Sequence, residues 1–162
     1  TGNYLSGHQL NLTELNFNQD LNKDGRIGPV FSSIESSGSV SLVKDSNNYA
    51  YAKTSGGSYI PIKYSSGNQV LSSNSGWTIL GVETVGGTNK LIWEDPSGKF
   101  VFWELDSNWK VVTGNYLPED EINTTEIGFK QDLNGNGFIG SASTIESYGS
   151  VSLNIDCSLK FP

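Results

Sequence analysis

The sequence has almost no cysteine, histidine or methionine. Of its 162 residues, only Cys157 is a cysteine, only His8 is a histidine, and none is a methionine. One cysteine excludes an intrachain disulfide framework. The sequence shows no Ser/His/Asp set and no Cys/His pair around its single histidine, so acyl-transfer chemistry has no base. Because the chain also begins at Thr1 without a signal peptide, we expect a mature or excised segment of a longer protein.

Positive charge and long apolar runs are also scarce. Ten Lys and Arg stand against 17 Asp and Glu, which gives a net charge of −7 and an isoelectric point near 4.5. Without a basic patch the chain is unsuited to nucleic acid or to an anionic membrane surface. No apolar run is long enough to span a bilayer. We therefore expect neither nucleic-acid binding nor membrane insertion, whereas an acidic surface fits divalent cations.

The remaining composition favours short strands joined by polar turns. Apolar residues make up 35% of the chain and aromatic residues 11%, with 19 glycines. Aromatic content at this level argues against disorder, and the Gly, Ser and Asn content argues against a helical bundle. The expected fold class is mainly β, an antiparallel meander that is sandwich- or barrel-like, with short helices leading into EF-hand-like calcium loops.

The most informative motif is a nine-residue loop that occurs twice. Residues 20–28 read DLNKDGRIG and residues 132–140 read DLNGNGFIG. Side-chain oxygens at positions 1, 3 and 5, glycine at position 6 and an aliphatic residue at position 8 form the front half of an EF-hand-like calcium loop. The predicted ligands are Asp20, Asn22, Asp24 and the Arg26 carbonyl in the first loop, and Asp132, Asn134, Asn136 and the Phe138 carbonyl in the second.

Each loop lacks the usual ligand at position 12. Phe31 and Ser143 stand where a full EF-hand has a bidentate Glu. Glu35 and Glu146 are the best candidates for the missing carboxylate, because Ile-Glu-Ser follows both loops; their alternative role is solvation of a strand edge. The alternative for the loops is an Asx-rich turn without metal, since Asp-Gly and Asn-Gly are ordinary turn dipeptides. Two copies in register favour calcium.

The loops belong to an internal repeat with an offset of 112 residues. TGNYL occurs at 1–5 and again at 113–117, and the match continues at this offset through both loops. One residue is then lost, and IESSGSVSL at 34–42 matches IESYGSVSL at 145–153. This divides the chain into a helix and calcium-loop segment (1–38), a Trp-rich antiparallel body (39–112) and the start of a second repeat (113–162). We expect the second repeat to be truncated or completed by a neighbour.

A short helix is expected before each loop. Asn11-x-x-Glu14 and its counterpart at 123–126 have the form of a capping box. Phe17 and Leu21 would then face one side of the first helix, and Phe129 and Leu133 one side of the second.

The central part of the chain reads as strands with aromatic side chains. Strands are predicted at 40–44, 49–54, 59–64, 69–71, 77–85, 90–94, 100–105 and 109–112. The stretches 90–94 and 99–104 are apolar on both faces, so we expect them to be central and covered on one side by the loop-bearing segment or a neighbouring repeat.

The aromatic residues admit two interpretations. They are Trp77, Trp93, Trp103, Trp109, Phe100, Phe102, Tyr59 and Tyr64. Core packing is favoured over a sugar-stacking platform, and Trp109, beside a polar turn, is the best candidate for exposure. Carboxylates at Glu83, Glu94 and Glu104 are expected to solubilise exposed strand faces rather than hydrolyse glycosides. No catalytic residue is predicted, and we expect the chain not to be an enzyme.

The loops and the tryptophan pattern together resemble a known family. TExxFxQDLN at 13–22, with GW at 76–77, LIW at 91–93 and FWELDSNW at 102–109, resembles the tryptophan-rich C-terminal domain first described in Synechocystis. The resemblance implies a module of large, repetitive, secreted or surface proteins of bacteria, and no catalytic activity. Dockerins share the loop but pair two loops a few tens of residues apart, so that assignment is disfavoured.

These features predict a calcium-stabilised structural or adhesive repeat module of an extracellular bacterial surface protein or fibre. Its expected partners are neighbouring copies of the same repeat. One alternative is a carbohydrate-binding module that recognises surface polysaccharide. Another is a filament subunit completed by exchanging a segment with its neighbour.

Overall fold

The computed structural model describes residues 4–148 and 151–156, with side chains described for residues 4–141. Its elements in chain order are α1 (Gly7–Phe17), β1 (Phe31–Glu35), β2 (Ser41–Asp45), β3 (Ala50–Lys53), β4 (Tyr59–Pro61), β5 (Ser73–Asn74), β6 (Trp77–Val85), β7 (Thr88–Glu94), β8 (Phe100–Leu105), β9 (Val111–Tyr116), a 3-10 turn (Glu119–Glu121), α2 (Ile122–Phe129), β10 (Ala142–Tyr148) and β11 (Val151–Asp156).

The strands form antiparallel meanders, as predicted. One sheet has the order β1-β2-β3-β4, a second has the order β5-β6-β7-β8-β9, and β10 pairs with β11 in a separate hairpin. Every pair of neighbours in the sheets is antiparallel. The chain is therefore mainly β, and the described residues contain two short α-helices. No described helix has the length and apolarity needed to cross a bilayer.

Both sheets contribute to one hydrophobic core. Fully buried side chains of the first sheet, such as Leu42, meet those of the second, such as Ile79 and Leu91. The backbones are also joined where Lys63 N–H donates to the Trp109 carbonyl at 3.0 Å and Val111 N–H donates to the Lys63 carbonyl at 2.9 Å. One face of each sheet lies in this core, and the three consecutive buried residues of β7 show that the five-stranded sheet is covered on its other face as well.

Three hairpins of the body share one turn chemistry. Asp45, Asp95 and Asp106 each accept backbone N–H bonds from the residues two and four positions later, at 2.8–3.0 Å. A left-handed residue follows three positions after each Asp, and in the last turn it is Trp109 with φ 58°. A bulky residue adopts this conformation only where its surroundings hold it there. Trp109 is 3% exposed, so the prediction that it is the exposed tryptophan is wrong.

The first helix begins earlier than the sequence pattern suggests. Ser6 is its N-cap, and the capping box is formed by Ser6 and Gln9: Gln9 N–H donates to Ser6 Oγ at 3.3 Å and Ser6 N–H donates to Gln9 Oε1 at 2.9 Å. Asn11 therefore lies inside the helix, and Asn123 lies inside α2, which has no side-chain cap. The predicted capping boxes are wrong because Glu14 and Glu126 form other hydrogen bonds.

The second helix covers the outer face of the five-stranded sheet. Phe129 and Leu133 pack with Ile92 and Phe100 in a second cluster of buried residues, with Leu80, Val85, Phe102, Leu117 and Ile122 at its edge. The strands around 90–94 and 99–104 were predicted to be covered by the loop-bearing segment or by a neighbouring repeat. The cover is the helix and loop that open the second repeat. The equivalent residues of the first copy lie elsewhere, since Phe17 is 69% exposed.

Candidate metal centre

Each loop leaves its helix through a left-handed residue. Asn18, with φ 50°, ends α1, and Lys130, with φ 54°, ends α2. The next residue in each copy then donates its backbone N–H back to the carbonyl of Glu14 or Glu126 at 3.2 Å. This closure reverses the chain and brings the loop under the last turn of its helix.

The first aspartate of each loop is the centre of a set of backbone donors. Asp20 Oδ1 accepts from Lys23 N–H at 2.6 Å and Asp24 N–H at 3.2 Å, and Asp20 Oδ2 accepts from Gly25 N–H at 2.9 Å. Asp132 accepts from the three corresponding amides at 2.8, 3.2 and 2.7 Å. Left-handed residues at positions 4 and 6, among them Gly25 with φ 85°, allow the backbone to curl around this carboxylate.

The side chains at positions 3 and 5 turn inward in both loops. Asn22 Oδ1 accepts from Asp24 N–H and Asp24 Oδ1 from Arg26 N–H, both at 2.9 Å. Asn134 and Asn136 make the same contacts at 3.0 and 2.8 Å. The structure therefore brings together the three predicted side chains of each loop. It shows no contact of the Arg26 and Phe138 carbonyls that tests them as ligands, so these remain predictions.

A buried carboxylate ties the two ends of each loop together. Glu14 is fully buried: its Oε1 accepts from Leu21 and Asn22 N–H and its Oε2 from Gly28 N–H, all at 3.0 Å. Glu126 is also fully buried and makes the same three contacts at 3.0, 3.1 and 2.9 Å. A buried carboxylate is tolerated when several N–H donors satisfy it. The sequence signal was a Glu six residues before each loop, which capping-box reasoning misassigned.

Glu35 lies with a different group of residues. Its carboxylate accepts from Ser37 N–H, and burial, with a smaller contribution from the charge of Glu83, raises the pKa of Glu35 above its ordinary value of 4.5. No described hydrogen bond joins Glu35 to the loop, so its role as a ligand remains a prediction without a contact to support it. Glu146 lies outside the residues whose side chains are described.

Glu83 is buried, which corrects its prediction as a solubilising side chain. It is 2% exposed, and it accepts from Ser39 N–H at 2.6 Å, from Thr84 N–H at 2.8 Å and from the Ser39 hydroxyl. Glu83 thus anchors the turn after β1 onto β6. Within the part of the chain whose side chains are described, no three His, Cys, Asp or Glu side chains converge on one point. Any cation in the loops would depend on amide and carbonyl oxygens as well as carboxylates.

The tryptophans form a cluster with one open side. Trp93 is 3% exposed and packs edge-on against Trp103 and Trp77, with ring centroids 5.2 and 6.4 Å apart. Tyr64 packs against Trp103 at 5.8 Å, and these four rings with Asn74 and Ser75 line a groove of about 340 Å³. The Trp93 indole N–H is buried without a hydrogen-bond partner. The core interpretation is correct for Trp93 and Trp109, whereas Trp77 and Trp103 are only partly buried.

The antiparallel body with its tryptophan cluster and its helix-and-loop segment agrees with a known class of domain. A family model described as the tryptophan-rich Synechocystis species C-terminal domain matches residues 40–140. The chain belongs to this family, as its motifs indicated. No curated protein and no solved structure matches the chain. The matched residues include the strands from β2 to β9, α2 and the second loop, but not α1 or the first loop.

Proposed function

We propose that the chain is a calcium-stabilised structural repeat module of an extracellular bacterial surface protein or fibre, with a mechanical or adhesive role. The observation that supports it is the pair of matching loops. In each loop three inward-facing side chains present oxygens at alternate positions, and a fully buried Glu ties the loop ends. Ca²⁺ prefers such hard oxygen ligands, including amide and backbone carbonyl oxygens.

The loops differ in charge, and this predicts their order of affinity. Asp20 and Asp24 give the first loop two carboxylates, whereas Asp132 alone serves the second. Fewer formal charges weaken a calcium site, and sites of extracellular modules have Kd values of about 10⁻⁴–10⁻³ M. We therefore expect the first loop to bind Ca²⁺ more tightly than the second.

Calcium would act through the folding equilibrium. A cation that binds the folded loop but not the unfolded chain stabilises the fold by RT ln(1 + [L]/Kd), about 1.4 kcal/mol when free Ca²⁺ is tenfold above Kd. In a surface protein or fibre built from repeated modules, Ca²⁺ from the surrounding medium would stiffen each loop.

Calorimetric titration and thermal unfolding test this proposal. Ca²⁺ should bind with a stoichiometry of two, and EDTA should lower the unfolding temperature, with Mg²⁺ as the competing ion. Asp20→Ala should remove the tighter site. Asp120→Ala is the matched control, since it removes one exposed acidic side chain outside both loops. No heat of binding together with an unchanged unfolding temperature would rule out the calcium role.

The groove lined by Trp77 and Trp103 favours carbohydrate binding as a second candidate function. Its lining has aromatic faces and uncharged polar groups. Neutral sugar rings stack on aromatic side chains of this kind. If this is correct, soluble polysaccharide should quench tryptophan fluorescence, and Trp77→Ala should abolish the quenching while the far-ultraviolet spectrum is retained. Equal quenching of the variant would exclude the groove.

A further inference from the structure

The two helix-and-loop segments have matching internal contacts but different surroundings. Their turns and buried Glu contacts agree to within a few tenths of an ångström. Phe129 is 3% exposed and Leu133 is 8% exposed, whereas their counterparts Phe17 and Leu21 are 69% and 39% exposed. The same apolar side chains are thus covered in one copy and uncovered in the other.

The cover in the second copy is the outer face of the five-stranded sheet. Phe129 and Leu133 pack on Ile92 and Phe100. Gln131 Nε2 donates to the Leu80 carbonyl at 3.2 Å, which also fixes the loop to β6. The corresponding residue of the first copy, Gln19, is exposed.

From this difference we propose that Phe17 and Leu21 dock on the outer sheet face of a preceding copy of the same β body in one polypeptide, as Phe129 and Leu133 dock on this one. We call the uncovered pair, Phe17 and Leu21, the docking face. The inference rests on the proposed function, since it assigns the contact that would link repeat modules into an array.

The chain around the docking face supports a covalently preceding partner. TGNYL at 113–117 runs from the end of β9 towards α2, and the same five residues at 1–5 precede α1. Leu117 packs in the cluster beneath α2, whereas its counterpart Leu5 is 52% exposed. A second sheet with the same face would therefore cover Leu5 together with the docking face.

The family match independently supports the same division of the repeat into units. It begins at residue 40 and ends at residue 140, so each matched unit consists of a β body followed by the helix and loop that pack on it. With this division, the segment containing α1 and the first loop belongs to the unit before this one.

The other end of α1 already contacts the body that follows. His8 Nδ1 is 3.0 Å from Asp45 Oδ2, His8 Nε2 is 3.1 Å from Gln69 Oε1, and the His8 ring stacks on Tyr49 with centroids 4.0 Å apart. The second copy has Asp120 in place of His8. In the proposed array α1 contacts one body through His8 and the preceding body through the docking face.

The test compares the full chain with a tandem polypeptide in which residues 1–112 precede the full chain. Because 1–5 and 113–117 are identical, the new join has the same sequence as the one already present. Phe17→Ser is introduced in the full chain alone, in the leading copy of the tandem, and in the following copy of the tandem. The leading copy is the matched control, since its Phe17 has the same neighbours in sequence but no preceding sheet.

The proposal expects Phe17→Ser to lower the unfolding midpoint in the following copy by about as much as Phe129→Ser does, and to have little effect in the two other positions. Equal effects at all three positions would overturn it. Sedimentation of the full chain gives a second arm: association of separate molecules that Phe17→Ser abolishes would overturn the covalent partner in favour of an exchanged segment. Calcium titration of the same polypeptides separates the two proposals. Ca²⁺ binding without a position-dependent effect of Phe17→Ser would mean that docking fails and the calcium role stands. A position-dependent effect without Ca²⁺ binding would mean the reverse.

Discussion

Glu126→Gln is the substitution that most directly tests the architecture of the loops. The change keeps the size of the side chain but replaces one carboxylate oxygen with an N–H donor. In the structure Oε1 accepts from Leu133 and Asn134 N–H and Oε2 from Gly140 N–H. If the amide oxygen takes the first pair, the new NH₂ group faces the Gly140 N–H, donor against donor.

The magnitude follows from these contacts. A hydrogen bond to a charged group contributes about 1.5–3 kcal/mol, and a buried donor left unsatisfied costs about as much. Loss of one such bond and weakening of two others gives a destabilisation of about 3 kcal/mol. For a chain of this size that corresponds to a fall in the unfolding temperature of about 6–12 °C.

The assay is urea unfolding followed by tryptophan fluorescence in EDTA, since the four tryptophans lie in the body and EDTA removes any contribution from a cation. Glu126→Gln should shift this transition because α2 packs on the sheet. Glu14→Gln is the matched control: the same contacts are lost, but Phe17 is exposed, so the tryptophan-reported shift should be well under half as large. Equal shifts for both variants, or none for Glu126→Gln, would refute the reasoning.

Three further predictions follow from named contacts. In Gly81→Ala the new Cβ would lie 2.5 Å from Gln131 Oε1, so the Gln131 side chain should rotate away and lose its hydrogen bond to the Leu80 carbonyl. The expected cost is about 1 kcal/mol, measured by urea unfolding. Gly7→Ala, with open space around it, is the control. Because the pKa of Glu35 is raised in the folded state, the protonated form of this side chain favours folding. Its contribution to stability is complete below about pH 4.5 and is lost as the pH rises through the raised pKa. Glu35→Gln should therefore reduce the loss of unfolding free energy between about pH 4 and about pH 7, and an unchanged pH profile would contradict this. EDTA should shift the amide resonances of residues 20–28 in the same way as Asp20→Ala does, because both remove Ca²⁺ from the first loop. If EDTA shifts these resonances further in the variant, loss of Ca²⁺ is not the common cause.

The strands of the body were largely predictable because their determinants are local. Residues 77–85 and 100–105 are bounded by turn residues on both sides, and β6 and β8 occupy those bounds. The predicted strand at 69–71 forms only isolated bridges, between Lys63 and Gln69 and between Tyr49 and Leu71. Strand β1 was missed, since its polar sequence FSSIE gives little apolar periodicity.

The side-chain roles were harder to predict because they depend on contacts distant in sequence. Glu14 and Asn11 have the spacing of a capping box, and only the register set by Ser6 shows that Glu14 instead points into the loop. Glu83 alternates with apolar residues like an exposed strand carboxylate. It is buried, however, and accepts a hydrogen bond from the N–H of Ser39, which is 44 residues earlier. Trp109 was placed at the surface because its neighbours are polar, whereas its left-handed backbone turns the ring into the core.

The buried Glu beneath each loop has a consequence for kinetics. Glu14 and Glu126 close their loops through backbone N–H groups of the same chain. A loop held in this way would not have to refold between one occupancy and the next. If the loops bind Ca²⁺ as proposed, exchange of the ion would then be limited by diffusion and by dehydration of the ion rather than by refolding of the loop.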